Sequence, residues 1–126
     1  MKIAVLGGSG FLGSHVADEL SKKGHKVIIF DKKKSEWIKS DQEMFVGDIL
    51  NPVDLEKVIK DAEVVFNFAA LADIDQALKE PIDTVKVNIL GTVQSLDLCH
   101  KYNVKRFIFA SSIYVNSIEG GFYRSS

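Results

Sequence analysis

The sequence predicts one α/β domain in which helices cover both faces of a parallel sheet, the doubly wound arrangement. Short apolar and β-branched segments alternate with amphipathic ones along all 126 residues, which is the pattern of repeated strand–helix–strand units. A glycine-rich turn joins the first strand to the first helix. Five strands follow from this pattern, and right-handed crossovers order them most simply as 3-2-1-4-5.

The first strand, residues 3–6, runs straight into the glycine-rich turn and then into a helix. Gly7 and Gly8 permit a tight turn. Gly10 removes a side chain where a phosphate group must approach the backbone, and Gly13 lets the new helix pack closely. The unpaired N–H groups and the positive end of that helix favour an anion. Because strand and helix are both evident around the glycines, the turn predicts a dinucleotide-binding site.

The first helix carries Leu12, Val16 and Leu20 at four-residue spacing, and Gly24 ends it. This spacing predicts an apolar face that covers the sheet. The second strand, residues 26–30, follows directly. The segment therefore forms the first strand–helix–strand unit of the domain.

Asp31 closes the second strand eighteen residues after Gly13, where the ribose-binding acid of dinucleotide sites belongs. Such an acid repels a 2′-phosphate and so selects NAD over NADP. Lys32 partly offsets this repulsion. The alternative interpretation of Asp31 is an ordinary turn residue after a strand.

The middle of the chain supplies two more strands. Residues 44–46 form the third, and residues 63–68 form the fourth, which ends in small residues that leave room for a ligand. Between them, Asn51 and Pro52 start a helix. Its apolar positions are Val53, Leu55, Val58 and Ile59.

The longest helix is expected to open at Pro81 and to end at Asn103. The spacing of its large apolar residues predicts the buried face. That face comprises Val85, Ile89, Val93 and Leu96. Residues 106–110 then form the fifth strand.

The composition, 46% hydrophobic and 26% charged, excludes disorder, and no apolar run is long enough to span a membrane. The formal net charge is −1, and residues 32–34 are the only dense basic run. The sequence therefore gives no sign of the basic surface that nucleic-acid binding requires. Cys99 is the single cysteine, so we expect it to pack in the core of a cytoplasmic protein. The three histidines lack the spacing of metal ligands, and no metal is assigned.

Together, these features resemble the extended short-chain dehydrogenase/reductase family, the NAD-dependent nucleotide-sugar epimerases and dehydratases. The resemblance spans essentially the whole chain. It is carried by the glycine spacing 7–10–13, by Asp48-Ile49 after the third strand, by residues 67–70 after the fourth, by the helical segment 87–92, and by Ser111-Ser112 after the fifth. It implies a Rossmann domain that binds NAD. The implied cofactor-binding residues are Gly7, Gly10, Phe11, Leu12, Gly13, Asp31, Lys32, Asp48, Ile49, Phe68, Ala69, Ala70, Asn88 and Ser111.

The same resemblance implies two catalytic residues for hydride transfer to and from a sugar carbon. Ser112 would orient the reacting oxygen, and Tyr123 would exchange a proton with it. The family carries a lysine four residues after this tyrosine, whereas the sequence ends at Ser126. Eleven positions separate Ser112 from Tyr123, fewer than the family pattern has. Ile113-Tyr114 replaces the acidic pair of many sugar dehydratases, which argues against dehydration.

We therefore expect residues 1–126 to be the cofactor-binding part of an epimerase or related oxidoreductase that acts on a nucleotide sugar. The substrate domain and appreciable turnover are expected to be absent. Two alternatives remain open: a non-catalytic NAD(P)-binding sensor or interaction protein, and a minimal Rossmann fragment made for studies of folding or assembly. A helix that starts near Tyr123 would normally cover apolar surface of the domain, but the sequence ends inside this helix. We expect the uncovered apolar surface to drive formation of a homo-oligomer.

Overall fold

The computed structural model describes residues 1–116 and 124–126. At its centre is a five-stranded parallel sheet in the order 3-2-1-4-5, which confirms the predicted fold class and topology. The strands are β1 (Lys2–Leu6), β2 (Lys26–Asp31), β3 (Gln42–Val46), β4 (Val64–Asn67) and β5 (Arg106–Phe109). β3 begins two residues before the predicted start, because Gln42 pairs with Val27 of β2.

Helices connect the strands, and most were expected from the sequence. They are α1 (Phe11–Lys22), α2 (Pro52–Ile59), α3 (Ile74–Lys79), α4 (Pro81–Val85) and α5 (Gly91–Lys101), with a π-helical turn at Lys86–Leu90 and a 3₁₀ turn at Ile113–Asn116. The predicted long helix thus consists of α4, the π-helical turn and α5. Asn103 follows it with a φ of 54°. None of the helices in the described ranges has the length and hydropathy that a membrane span requires.

The three central strands, β1, β2 and β4, are largely buried on both faces, so their consecutive residues enter two different clusters. Ala4, Leu6 and Phe30 pack on the face covered by α2 and α5, where Leu55 and Leu98 meet them. The opposite face holds its apolar residues beneath α1; they are Ile3, Val5, Val27, Ile29 and Val64. Apolar runs without alternation are typical of such doubly covered parallel strands.

The predicted sheet-covering face of α1 is wrong at its first residue, Leu12. Leu12 is exposed, and the buried residues of the helix are Gly13, Ser14 and Ala17. Small side chains bring the helix axis close to the sheet, so the larger residues are displaced to the sides. Val16 and Leu20 are accordingly only half-buried.

The predicted buried face of the long helix is also wrong, because all four of its residues are exposed. With Ile82 they form an apolar stripe on the outer surface, comprising Ile82, Val85, Ile89, Val93 and Leu96. The residues that the helix buries are mostly small or polar; they are Thr84, Asn88, Gly91, Ser95, Leu98 and Cys99. A Cβ on Gly91 would lie 3.0 Å from Ile49, so close packing selects this face.

Candidate dinucleotide and substrate site

Two adjoining cavities lie where the parallel strands end, at the carboxyl edge of the sheet. The first, of about 220 Å³, contains eight of the predicted cofactor-binding residues: Gly7, Gly10, Asp31, Lys32, Ile49, Phe68, Ala69 and Ala70. The second, of about 200 Å³, contains Ala70, Asn88, Ser111 and Ser112. Because Ala70 lines both, the two cavities meet at the loop after β4. Crevices at this edge are where doubly wound sheets bind ligands.

Close packing requires glycine at two positions of the turn after β1. Gly7 has a φ of +75°, and a Cβ there would lie 2.5 Å from the backbone nitrogen of Ala69. A Cβ on Gly13 would lie 2.4 Å from the carbonyl oxygen of Gly7. Gly13 therefore lets α1 pack against the glycine-rich turn. The glycine-rich turn also packs against the loop after β4, through Gly7 and Ala69.

The N-terminus of α1 fits a phosphate group. Gly10 is the N-cap residue, and no side chain caps the helix. Gly10 also lines the first cavity. A helix N-terminus offers unpaired N–H groups and a positive dipole end to an anion. The side chains of Phe11 and Leu12 are apolar and are 84% and 54% exposed. Only the backbone N–H groups of these two residues can therefore bind such an anion.

Asp31 is held in place by backbone groups on the rim of the first cavity. One carboxylate oxygen accepts a hydrogen bond from the N–H of Ser9 at 3.0 Å, and the other accepts one from the N–H of Lys33 at 3.1 Å. The turn is also fixed to β2, because the N–H of Gly7 donates to the carbonyl of Phe30 at 2.8 Å. These bonds fix an acidic group beside the glycine-rich turn.

Lys32 forms an exposed ion pair with Asp48. Its Nζ lies 3.2 Å from Oδ2 of Asp48, and Oδ1 of Asp48 accepts a hydrogen bond from the N–H of Leu50 at 2.9 Å. The carboxylate that follows β3 is therefore oriented by its own loop and neutralised by Lys32. Because the ammonium already has this partner, it is less available to offset the charge of Asp31.

Two buried asparagines fix the loop after β4. The side-chain oxygen of Asn67 accepts from the N–H of Ala69 at 3.1 Å, and its nitrogen donates to Oγ1 of Thr92 at 3.2 Å. The oxygen of Asn88 accepts from the N–H of Leu71 at 2.8 Å. The loop between the cavities is thus tied to the long helix.

The second cavity contains the predicted serine pair. The Oγ of Ser112 accepts a hydrogen bond from the N–H of Tyr114 at 3.2 Å, so this hydroxyl both stabilises the turn after β5 and lines the cavity. The predicted proton-exchanging residue, Tyr123, lies outside the described residues. Within residues 1–116 and 124–126, no three His, Cys, Asp or Glu side chains group as a metal site requires.

The structure separates some predicted residues from the first cavity and adds others. Phe11, Leu12, Gly13, Asp48, Asn88 and Ser111 are not among its lining residues. The sequence reasoning missed Phe30, Gly47, Leu71 and Val87, which do line it. Leu71 directly follows the motif 67–70, and Val87 is the first residue of the motif 87–92, although neither was among the implied cofactor-binding residues. Among the residues missed in the second cavity, Phe109 ends β5, and Arg124 is remote in sequence from the serine pair.

Comparison with known protein families shows which family the chain belongs to. The family model described as NAD dependent epimerase/dehydratase matches residues 3–120. The chain belongs to this family. The glycine-rich turn, the first cavity and Ser112 all lie within the matched range, and the second cavity extends beyond it through residues 124–126.

Curated relatives of this epimerase/dehydratase chain include two UDP-glucose 4-epimerases. The one from Klebsiella pneumoniae is 32% identical over 127 residues, which cover 91% of this chain and 91% of the relative. The one from Lactobacillus helveticus is 31% identical over 117 residues, which cover 89% of this chain and 36% of the relative. The chain thus spans about a third of the length of the second relative.

Solved structures of epimerases share the fold. A UDP-glucose 4-epimerase of Thermotoga maritima with UDP-glucose superimposes with a TM-score of 0.86 at 35% identity, covering 94% of this chain and 41% of that one. A UDP-glucose 4-epimerase of Thermus thermophilus in complex with NAD superimposes with a TM-score of 0.84 at 29% identity. The match covers 89% of this chain and 38% of that one. This epimerase/dehydratase chain therefore corresponds to less than half of each solved chain.

Proposed function

We propose that residues 1–126 form the NAD-binding part of a nucleotide-sugar epimerase. The observation that carries this proposal is the first cavity, which is lined both by Gly10, the N-cap residue of α1, and by Asp31, whose carboxylate backbone N–H groups hold in place. The helix end binds the pyrophosphate, and the carboxylate accepts hydrogen bonds from the adenosine ribose. The solved T. thermophilus epimerase with NAD supports the choice of cofactor.

The arrangement around Asp31 favours NAD over NADP. A 2′-phosphate would lie against a carboxylate that two backbone N–H groups hold in place. The nearest basic side chain in sequence, Lys32, is paired with Asp48 at 3.2 Å. Like charges at close range cost binding free energy unless a cation compensates them. The proposed selection of NAD rests on this acid, and the two lysines that line the groove beside it, Lys33 and Lys34, oppose that selection.

The second cavity is the proposed site of the sugar. Ala70 lines both cavities, so a sugar in the second would lie next to a cofactor in the first, and Ser112 lines the second cavity with a hydroxyl that can donate to the reacting oxygen. When bound, the nicotinamide accepts a hydride from the sugar carbon and returns it. Tyr123 is proposed to exchange the proton of the same hydroxyl group. The T. maritima epimerase solved with UDP-glucose supports a nucleotide-sugar substrate.

Epimerisation is favoured over dehydration by the residues after Ser112. Elimination of water needs an acid and a base beside the sugar carbon that loses the leaving group. Here Ile113 and Tyr114 follow Ser112 in the 3₁₀ turn, and neither residue supplies the acidic pair of many sugar dehydratases. The relatives cited above carry the same activity in their names.

The fluorescence of Trp37, the only tryptophan of the chain, provides the test. Trp37 and Asp31 line the same surface groove, so a dinucleotide at Asp31 should change the emission. We expect saturable quenching by NAD and a weaker response to NADP. UDP-glucose should bind more tightly when NAD is present. The proposal would be contradicted by a folded chain whose tryptophan emission does not change with NAD and which shows no heat of binding in a calorimetric titration with NAD.

A further inference from the structure

Three aromatic side chains line a third cavity, which lies between α1 and the loop that precedes β3. This cavity, of about 430 Å³ and here called the aromatic cavity, is lined by Phe11, Ser14, His15, Asp18, Trp37 and Lys39. It shares no residue with the two cavities at the carboxyl edge of the sheet. Its volume and its aromatic lining are typical of small-molecule sites.

The large rings of the aromatic cavity are exposed, although their neighbours hold them in place. Trp37 is 63% exposed and Phe11 is 84% exposed. The ring of Phe11 lies against that of His15, with 4.6 Å between the centroids, and Nδ1 of His15 lies 2.7 Å from the carbonyl oxygen of Phe11. Such rings contribute little to the core of the chain, and their grouping on the surface indicates a binding site.

Hydrogen bonds fix the loop that carries Trp37 at several points. The N–H of Trp37 donates to Oγ of buried Ser35 at 3.1 Å. At the start of the loop, Oγ of Ser9 donates to the carbonyl of Lys33 at 2.7 Å. At its end, the buried side chain of Gln42 donates to Oδ1 of Asp18 in α1 at 2.9 Å. The position of Trp37 is therefore set before any ligand binds, which lowers the entropic cost of binding.

Trp37 also lines a neighbouring groove of about 300 Å³, here called the lysine groove, together with Asp31, Lys33, Lys34 and Glu36. Within residues 1–116 and 124–126, neither Lys33 nor Lys34 forms a salt bridge. Both carboxylate oxygens of Asp31 already accept hydrogen bonds from backbone N–H groups. The groove thus offers two ammonium groups for an anion, and the carboxylate of Glu36 as an acceptor for hydroxyl groups.

We propose that the aromatic cavity and the lysine groove together bind a nucleoside monophosphate, at a site separate from the proposed dinucleotide site. The base stacks on Trp37 in the aromatic cavity, since a flat base gains binding free energy from an aromatic surface. The phosphate lies in the lysine groove against Lys33 and Lys34, and Glu36 accepts hydrogen bonds from the ribose. The two parts of the site meet at Trp37, as a base and its phosphate require. This inference does not depend on the proposed function.

Titration with GMP, with and without saturating NAD, tests whether the site is separate. GMP is the probe because AMP is one half of NAD and would also bind at Asp31. We expect GMP to shift the indole N–H resonance of Trp37, the only tryptophan, in a saturable way. The GMP affinities with and without NAD should differ by less than about fivefold, the lower limit of typical coupling between sites.

Loss of the GMP response in saturating NAD would overturn the inference and assign the lysine groove to the dinucleotide. A Trp37 resonance that does not respond to GMP under either condition would also overturn it. If the unmodified chain binds no NAD, the proposed function fails, and the titration without NAD together with the variants below still decides this inference.

Trp37→Ala tests the stacking of the base. Because Trp37 is exposed, the fold should tolerate the change, and calorimetry should show GMP bound about tenfold more weakly or worse. Trp37→Phe keeps a ring and should bind within about threefold of the unmodified chain. Leu78→Ala is the matched control, since Leu78 is 61% exposed and lies outside the cavities described above. Equal GMP affinity in Trp37→Ala and the unmodified chain would contradict the proposal.

Lys33→Ala/Lys34→Ala tests the position of the phosphate through the ratio of GMP to guanosine affinity. The unmodified chain should bind GMP about tenfold more tightly than guanosine, the usual effect of hydrogen bonds to a charged group. In the double variant the two affinities should lie within about twofold of each other. Lys22→Ala/Lys23→Ala, at two adjacent exposed lysines outside these cavities, should keep the original ratio. A ratio unchanged by Lys33→Ala/Lys34→Ala would overturn the inference.

Discussion

The carboxylate of Asp31 accepts a hydrogen bond from the backbone N–H of Ser9 at 3.0 Å, which ties the end of β2 to the glycine-rich turn after β1. The acid proposed to select the cofactor thus also supports the turn proposed to bind it. Its second oxygen accepts from the N–H of Lys33 at 3.1 Å. Both functions depend on an acceptor oxygen, but only cofactor selection depends on the negative charge.

Asp31→Asn removes the charge and keeps one acceptor oxygen, which can serve the N–H of Ser9, while the hydrogen bond from the N–H of Lys33 is lost. The unmodified chain should bind NAD at least about tenfold more tightly than NADP, since a 2′-phosphate beside a fixed carboxylate is repelled. In the variant the two affinities should lie within about threefold of each other. Calorimetric titration with both dinucleotides measures the ratio. Asp41→Asn, at an exposed acid outside the cavities, is the control, and a ratio unchanged by Asp31→Asn would contradict the assignment.

Glu56 makes the stability of the α2–α5 contact dependent on pH. Lys101, whose Nζ lies 2.8 Å away, and the hydroxyl of Tyr102 hold the pKa of Glu56 below its ordinary value. A carboxyl with a lowered folded-state pKa stabilises the fold above its unfolded pKa, and the contribution is lost as pH falls. Glu56→Gln should therefore melt below the unmodified chain near pH 6, and the difference should shrink near pH 3. Circular dichroism melts measure this, with exposed Glu36→Gln as control; a difference independent of pH would refute it.

Cys99 should be unreactive in the folded chain. It is 6% exposed on the sheet side of α5, and burial raises the pKa of its thiol to about 11. The thiolate, which is the reactive form, is therefore scarce at neutral pH. A thiol reagent should label the native chain far more slowly than the denatured chain, where the single cysteine gives one equivalent. Equal rates in both states would show that Cys99 is accessible.

The apolar stripe along α4 and α5 should drive self-association. Five large side chains are exposed there, from Ile82 at 69% to Val85 at 38%, and contiguous exposed apolar surface of this kind marks interaction sites. We expect the unmodified chain to sediment as a dimer or larger species, and Ile89→Asp/Val93→Asp to sediment as a monomer. Asp97→Lys, a charge change on an exposed residue of the same helix, should leave the assembly intact. A monomer at high concentration without substitution would contradict this.

The sheet and the glycine-rich turn were predictable because their signals are local. Four consecutive β-prone residues before Gly7 define β1, and a buried parallel sheet follows from the repetition of that pattern. The position of Asp31 at the end of β2 was predictable for the same reason. Its bonds to Ser9 and Lys33 depend on where the turn lies in space, and no sequence spacing predicts them.

The orientation of the long helix could not be read from its large apolar residues. Close packing on Ile49 selects Gly91 for the buried side, and the π-helical turn adds a residue that breaks the four-residue periodicity. The second cavity was incompletely predicted, because Arg124 and Ala70 are brought together only by the fold. The hydrogen bonds of Asn88 to the backbone of Leu71 were likewise not predictable, because they depend on how the long helix lies against the loop after β4.

Calorimetric titration of the unmodified chain and of Gly10→Ala with NAD tests the central claim most directly. A Cβ on Gly10 would meet only the Gly7 carbonyl, at an ordinary 3.4 Å, so the fold should tolerate the added methyl group. That methyl group would nevertheless stand at the N-cap of α1, beside the proposed pyrophosphate. We predict one NAD site per unmodified chain, and binding weakened about tenfold or more in Gly10→Ala at an unchanged melting temperature. A folded chain that binds no NAD, or equal affinity in both chains, would contradict the account.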